Sequence, residues 1–85
     1  MNQAEAETAI FELLDHRGVG KTICPSEAAR VLARSNGDWR SHMDSVHRAV
    51  DAMLENGVIT LSWKGKKLGQ RSGAYRIARR WPADD

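Results

Sequence analysis

Residues 38–56 read DWRSHMDSVHRAVDAMLEN, and this stretch decides the fold because its pattern predicts a single helix of about five turns. Apolar residues recur in it at intervals of three or four, which is the spacing of one buried stripe: Met43, Val46, Val50, Met53 and Leu54. Asp38 is a suitable N-cap residue for this helix, and Asn56-Gly57 is a typical helix stop. The opposite face of the helix is polar and is therefore available to a partner.

Two shorter helices are predicted before this stretch, over residues 4–17 and 25–34, with a short strand over residues 22–24 between them. Ser26 is suited to cap the second of these helices. Their buried sides are expected to contain Ala6, Ile10, Leu13 and Leu14 in the first, and Ala28, Ala29, Val31 and Leu32 in the second. A short helix, a turn of about four residues and a longer helix form the helix-turn-helix pattern.

The period of the apolar residues changes from helical to two-fold after Gly57, which predicts strands over residues 58–64 and 74–79. One face of each strand is expected to point into the core, with Ile59, Leu61 and Trp63 on the first strand and Tyr75 and Ile77 on the second. Residues 65–73 are predicted to be a long, basic, glycine-rich loop at the tip of the hairpin. The whole chain, residues 1–85, is thus predicted to be one α+β domain, a winged helix-turn-helix with three helices followed by a two- or three-stranded β-hairpin wing.

The basic charge of the chain is concentrated after the helices. The net charge is +2, but residues 58–85 carry seven Lys and Arg against two Asp, hence +5, whereas residues 1–16 carry −4. No segment approaches the roughly 20 apolar residues of a membrane span, and the acidic start MNQAEAE lacks the features of a signal peptide. We therefore expect a cytoplasmic protein without a membrane partner.

No arrangement of residues in the sequence predicts catalysis, a metal site or a bound cofactor. The GKT tripeptide at residues 20–22 ends like a phosphate-binding loop, but Asp15 replaces the first glycine of the full motif. His42 and His47 are five residues apart, about 140° around a helix, so they do not share a metal ion from one face. The single cysteine, Cys24, forms no internal disulfide and has no evident base, although a reactive Cys24 beside His47 would indicate an enzyme or a redox sensor. We expect a protein that is not an enzyme.

Several short motifs distributed along the chain are similar to those of one family. They are the run KTICPSEAAR at residues 21–30, Trp39-Arg40 with Met43, Val46 and Ala49 downstream, Gly57-x-Ile59, and Lys64-Gly65. In these motifs the chain resembles the small bacterial domain-of-unknown-function family 3253, over nearly the whole of its length. The resemblance implies a winged-helix fold and a bacterial source, but it implies no activity and no functional residue. The chain departs from the family pattern at Gly73-Ala74, where Gly-Pro is expected before the last strand.

The polar and basic surface is therefore the basis for a functional prediction. In the common winged-helix mode of DNA binding, the long helix enters the major groove and the wing lies along the backbone. The candidate DNA-binding residues are Arg40, Ser41, Ser45 and Arg48 on the helix and Lys64, Lys66, Lys67 and Arg71 on the wing. Arginine can read guanine, whereas the wing lysines would contribute phosphate contacts. We predict weak binding of double-stranded DNA, or binding as a homodimer, as expected of a transcriptional regulator.

Three other interpretations remain open. Arg40 and Arg48 could pair with Asp44 and Asp51 at helical spacing, and unneutralised aspartates on this face would be repelled by phosphate. The basic loop could be a solvated hairpin tip whose lysines discourage aggregation. The domain could also be a winged-helix module that binds another protein, and an exposed Trp81 would favour this alternative.

Overall fold

Three α-helices and an antiparallel sheet make up the part of the chain that the computed structural model describes, residues 3–18, 20–34 and 37–80. In chain order the elements are α1 (Gln3–Arg17), β1 (Thr22–Ile23), α2 (Pro25–Ala33), a 3₁₀ turn (Trp39–His42), α3 (Met43–Glu55), β2 (Ile59–Trp63), β3 (Lys66–Leu68) and β4 (Arg76–Arg79). The predicted α+β class is therefore confirmed. The predicted exposure of Trp81 falls outside the described residues.

The four strands of the sheet lie in the order β1-β4-β2-β3, and each neighbouring pair is antiparallel. β1 precedes α2 in the chain but pairs with the last strand, where Thr22 lies opposite Ala78 and Ile23 lies opposite Ile77. On the other side of β4, Ile77 lies opposite Leu61 of β2. β4 therefore joins the beginning of the domain to its end, an arrangement that is compatible with a winged-helix-like fold.

The core lies between the helices and one face of the sheet. Its largest fully buried side chains are Ile10, Ile23, Val46, Val50, Met53, Ile59, Leu61 and Ile77. Tyr75 is buried as predicted, but two residues predicted to be in the core are exposed, because Val31 has 42% and Trp63 has 40% of its surface accessible. Trp63 follows Leu61 on the inward face of β2, but it lies at the end of the strand, where it lines an open cleft.

The predicted helix over residues 38–56 is divided into the 3₁₀ turn and α3, which begins at Met43. The Ser41 hydroxyl donates a hydrogen bond of 3.0 Å to the backbone carbonyl of Asp38. Such a side-chain bond competes with the regular helical pattern, and a 3₁₀ turn is a frequent form of a helix terminus. The prediction of one continuous α-helix is therefore wrong in its first turn and right in the remainder.

α2 begins at Pro25, so the prediction that Ser26 caps this helix is wrong. Cys24 occupies the N-cap position in an extended conformation, and its backbone N–H donates a hydrogen bond of 2.9 Å to the Glu27 carboxylate. Arg17 of α1 contacts the same carboxylate at 2.7 Å. Glu27 therefore holds the start of α2 against the end of α1.

Residues 65–73 do not form the predicted long loop, because they contain β3. β2 and β3 are joined by the two residues Lys64 and Gly65, whose φ angles are 53° and 82°. Positive φ at both positions is the conformation of a type I′ turn, which suits the twist of a tight hairpin. The chain then returns to the other side of β2, where the last strand begins at Arg76 rather than at residue 74.

Candidate nucleic-acid interface

Three of the predicted DNA-binding residues, Lys64, Lys66 and Lys67, lie together at the end of the β2–β3 hairpin. All three are exposed, and Lys66 and Lys67 lie opposite Trp63 and Ser62 on the neighbouring strand. Within the described part of the chain, no ion pair involves any of these lysines. The tight turn therefore concentrates three positive charges, the hairpin lysines Lys64, Lys66 and Lys67, on a short element rather than on a long loop.

Two arginine side chains lie against the indole ring of Trp39 at the start of the 3₁₀ turn. The guanidinium carbon of Arg40 is 4.5 Å from the ring centroid, and that of Arg30 on α2 is 4.8 Å from it. A guanidinium at this distance is attracted to the aromatic face. Arg40 was predicted as a site residue, whereas Arg30 was missed because no sequence pattern indicates that this residue of α2 reaches the following turn.

The other predicted site residues on the helix contribute less charge. Ser41 is bonded to the Asp38 carbonyl, and Ser45 is half-buried on α3. Arg48 forms an exposed ion pair of 3.1 Å with Asp44, four residues earlier. The alternative that Arg48 pairs along the helix is thus confirmed, and the polar face of α3 is locally neutralised by this pair.

Arg71, the last of the predicted site residues, is held by Asp51 of α3. Its Nε donates to Oδ1 at 2.8 Å, and its Nη2 donates to Oδ2 at 2.9 Å. The hydrogen bonds from Arg71 lower the pKa of the Asp51 carboxyl below its ordinary value of 3.8. The structure therefore separates Arg71 from the hairpin lysines and neutralises the second aspartate of the helix face.

A mainly apolar cleft of about 340 Å³ lies between the 3₁₀ turn and the end of β2. The residues that line it include Trp39, Met43, His47, Trp63 and Tyr75. Lys66 lies opposite Trp63 on the neighbouring strand, and Arg30 and Arg40 adjoin Trp39. An aromatic cleft thus lies beside two groups of cations, and no sequence pattern indicates it, because its walls are far apart in the chain.

His47 and Tyr75 form a polar contact at this cleft, with 2.7 Å between the imidazole Nδ1 and the phenol oxygen. Burial, assisted by the positive charge of Arg71, lowers the pKa of His47 below its ordinary 6.5. Burial also raises the pKa of the Tyr75 hydroxyl. Both groups are therefore neutral near pH 7, and the Tyr75 hydroxyl can donate to Nδ1 when the imidazole proton is on Nε2.

Cys24 lines the same cleft as His47, so the two residues whose association would indicate reactivity do lie near each other. The Cys24 thiol is half-buried, and its sulfur accepts a hydrogen bond of 3.4 Å from the Ser26 hydroxyl. Nδ1 of His47 is bonded to Tyr75 instead. Nδ1 of His47 is therefore not available as a base for the Cys24 thiol.

Within residues 3–18, 20–34 and 37–80, no cluster of three or more His, Cys, Asp or Glu side chains is arranged to hold a metal ion. No helix in these ranges combines the length and the hydropathy that crossing a membrane requires.

No curated protein matches the chain. Residues 3–80 match the family described as "Protein of unknown function (DUF3253)". Because this match covers most of the 85-residue chain, the resemblance seen in the sequence motifs is confirmed. The protein belongs to the DUF3253 family.

Proposed function

We propose that this domain binds DNA, with the hairpin lysines and the two arginines at Trp39 as its phosphate contacts. The observation that carries the proposal is the group of exposed lysines at one tight turn, Lys64, Lys66 and Lys67, which no described acidic side chain neutralises. Lysines gathered in this way release counterions when they meet a phosphate backbone, which is the main source of non-specific affinity for DNA.

The ion pairs on α3 support the proposal because they reduce its main electrostatic obstacle. Asp44 and Asp51 would repel phosphate if they were isolated on the exposed face of the helix. Arg48 and Arg71 lie within 3.1 Å and 2.8 Å of them, so each of these two carboxylates is paired with an arginine. The positive potential is then set mainly by the hairpin at one side and by Arg30 and Arg40 at the other.

The alternative proposal, a module that binds another protein, is favoured by a different observation. Trp63 has 40% of its surface accessible beside an apolar cleft, and aromatic residues of this kind are common in protein interfaces. The concentration of unpaired lysines next to Trp63 makes DNA the better supported partner, because charged residues and lysines in particular are depleted in the core of protein interfaces.

The experiment is a titration of a fluorescently labelled random duplex with the protein, followed by anisotropy at about 50 and about 200 mM salt. The wild-type protein is expected to bind with a log–log salt slope of about −3 or steeper. The Lys66→Ala/Lys67→Ala variant should bind more weakly, with a slope shallower by about 2. No binding at the lower salt up to about 100 µM protein would contradict the proposal.

Lys21 offers a matched control for the hairpin lysines. It is exposed and precedes β1, and β1 and β3 form opposite edges of the sheet. Lys21→Ala removes the same charge as Lys66→Ala from a distant surface, so it should leave the salt slope nearly unchanged. Equal effects of these two substitutions would show that net charge alone, and not the hairpin, determines binding.

A further inference from the structure

We infer that the cleft between Trp39 and Trp63 receives an unpaired base of single-stranded DNA. This inference rests on the proposed DNA binding and specifies which form of DNA the surface prefers. Trp63 continues the inward face of β2 beyond Leu61 yet remains 40% exposed. A large aromatic side chain at this position is available to stack against a planar ligand.

The composition of the cleft suits a nucleobase. Its volume is about 340 Å³, its lining is mainly apolar, and Trp39, Met43 and Trp63 are among the residues that line it. Proteins that hold single strands stack successive bases on aromatic side chains, and unstacked bases are also held between aromatic and apolar groups. A paired base in continuous duplex is enclosed within its own stack, so it does not present its face to such a cleft.

The distribution of charge around the cleft favours a nucleotide over an uncharged occupant. Lys64 and Lys66 adjoin the Trp63 wall, and Arg30 and Arg40 adjoin the Trp39 wall. A base inserted between the walls carries a phosphate on each side of its sugar, and the two phosphates would thus approach the two groups of cations. Aromatic surface combined with a flanking basic track is the general arrangement of single-strand binding sites.

The polar groups in the cleft indicate that base identity matters little. The nitrogen Nδ1 of His47 is bonded to the Tyr75 hydroxyl, and the Ser26 hydroxyl is bonded to the sulfur of Cys24. Because Nδ1 of His47 and the hydroxyl proton of Ser26 already have partners within the protein, we expect stacking rather than hydrogen bonding to supply most of the binding energy. Oligonucleotides of different base composition are therefore expected to bind with similar affinities.

The test compares labelled single-stranded DNA of about 16 nucleotides with the duplex of the same sequence, under the same salt conditions. The wild-type protein should bind the single strand about tenfold more tightly than the duplex, with quenching of tryptophan fluorescence. In Trp63→Ala this ratio should fall to nearly one, whereas Trp63→Phe, which retains a ring, should keep part of it. Circular dichroism and thermal melting of both variants verify that they are folded.

The outcomes separate this inference from the proposed DNA binding. Failure to bind either form of DNA would overturn both. Duplex binding that depends on Lys66 and Lys67, with no preference for the single strand and no effect of Trp63→Ala on the ratio, would overturn the inference alone. Tighter binding of single-stranded RNA than of single-stranded DNA would also overturn it.

Sedimentation velocity tests for another occupant of the cleft. A dimer that Trp63→Ala abolishes would assign the cleft to a second copy of the chain and would overturn the inference.

Discussion

Arg71 and Asp51 are joined by two parallel hydrogen bonds, 2.8 Å from Nε to Oδ1 and 2.9 Å from Nη2 to Oδ2. The pair connects the segment that follows β3 to the middle of α3, across twenty residues of sequence. Bidentate geometry of this kind fixes the direction of both side chains better than a single contact does. It holds the returning segment against the helix while the hairpin lysines remain exposed.

The Arg71 contact predicts an altered titration of Asp51. Its hydrogen bonds lower the pKa of the Asp51 carboxyl below 3.8 in the folded protein, so the pair stabilises the fold above that pH. This contribution is lost as the pH falls through the lower, folded-state pKa. In Arg71→Ala the pKa of Asp51, followed by NMR of the side-chain carboxyl, should rise toward 3.8.

Arg48→Ala is the matched control for this titration, because Arg48 pairs with Asp44 and not with Asp51. It should leave the pKa of Asp51 near its wild-type value. An Asp51 pKa that is the same in wild type and Arg71→Ala would contradict the hydrogen bonds described. Because both partners are substantially exposed, Arg71→Ala should lower the free energy of unfolding by only about 0.5 kcal/mol.

The burial of His47 predicts that the free energy of unfolding of the whole domain depends on pH. Burial lowers its pKa below 6.5, so the unfolded chain takes up a proton at a higher pH than the folded protein does. The folded state is therefore progressively disfavoured as the pH falls from the unfolded-state pKa through the folded-state pKa. Urea unfolding at about pH 7.5 and about pH 5.5 should show lower stability at the lower pH.

Two variants separate His47 from the other groups that titrate in this range. His47→Gln should show a smaller loss of stability between the two pH values than wild type, because it removes the group that gains the proton on unfolding. His42→Gln serves as a control for the loss of a histidine, because His42 lies on the neighbouring 3₁₀ turn and outside the His47–Tyr75 contact. If His47→Gln and wild type lose the same free energy of unfolding, the proposed role of His47 is wrong.

The tight hairpin turn predicts a contrast between two glycines. Gly65 has a φ angle of +82°, and Gly69 lies outside the positive-φ region, although a Cβ at either position would meet no atom within 4 Å. Gly65→Ala should therefore lower the free energy of unfolding by roughly 1–2 kcal/mol through backbone strain alone. Gly69→Ala should be neutral or slightly stabilising, because alanine restricts the unfolded chain. Equal urea midpoints for the two variants would argue against the type I′ turn.

The regular elements were largely predictable because their signals are local. The stripe through Val46, Val50 and Met53 has helical spacing, and all three residues are buried. The alternation of Ile59 and Leu61 likewise marked β2 and its inward face. These patterns report the burial of one face of a single element, and the sequence displays them directly.

The errors arose where a structure depends on contacts between distant residues. β3 has only three residues, Lys66–Leu68, which is too short for a periodic signal, and its turn places the non-glycine residue Lys64 at positive φ. Trp63 fits the inward alternation of β2, but it lines an open cleft whose other residues come from distant parts of the chain. The contacts of Arg71 with Asp51 and of Trp39 with Arg30 could not be predicted from the sequence either, because spacing rules describe neighbours within one helix and not across the fold.

The most direct test of the central claim is NMR mapping of the surface that contacts DNA, by titrating ¹⁵N-labelled protein with unlabelled single strand and duplex. We predict that the largest shifts occur at the amides of residues 64–68 and 39–42, and that the single strand also shifts the indole signals of Trp39 and Trp63. Shifts concentrated at the groove between α1 and α2, which Thr8 and Val31 line, would contradict the proposed surface. Unshifted spectra at saturating DNA concentrations would contradict DNA binding itself.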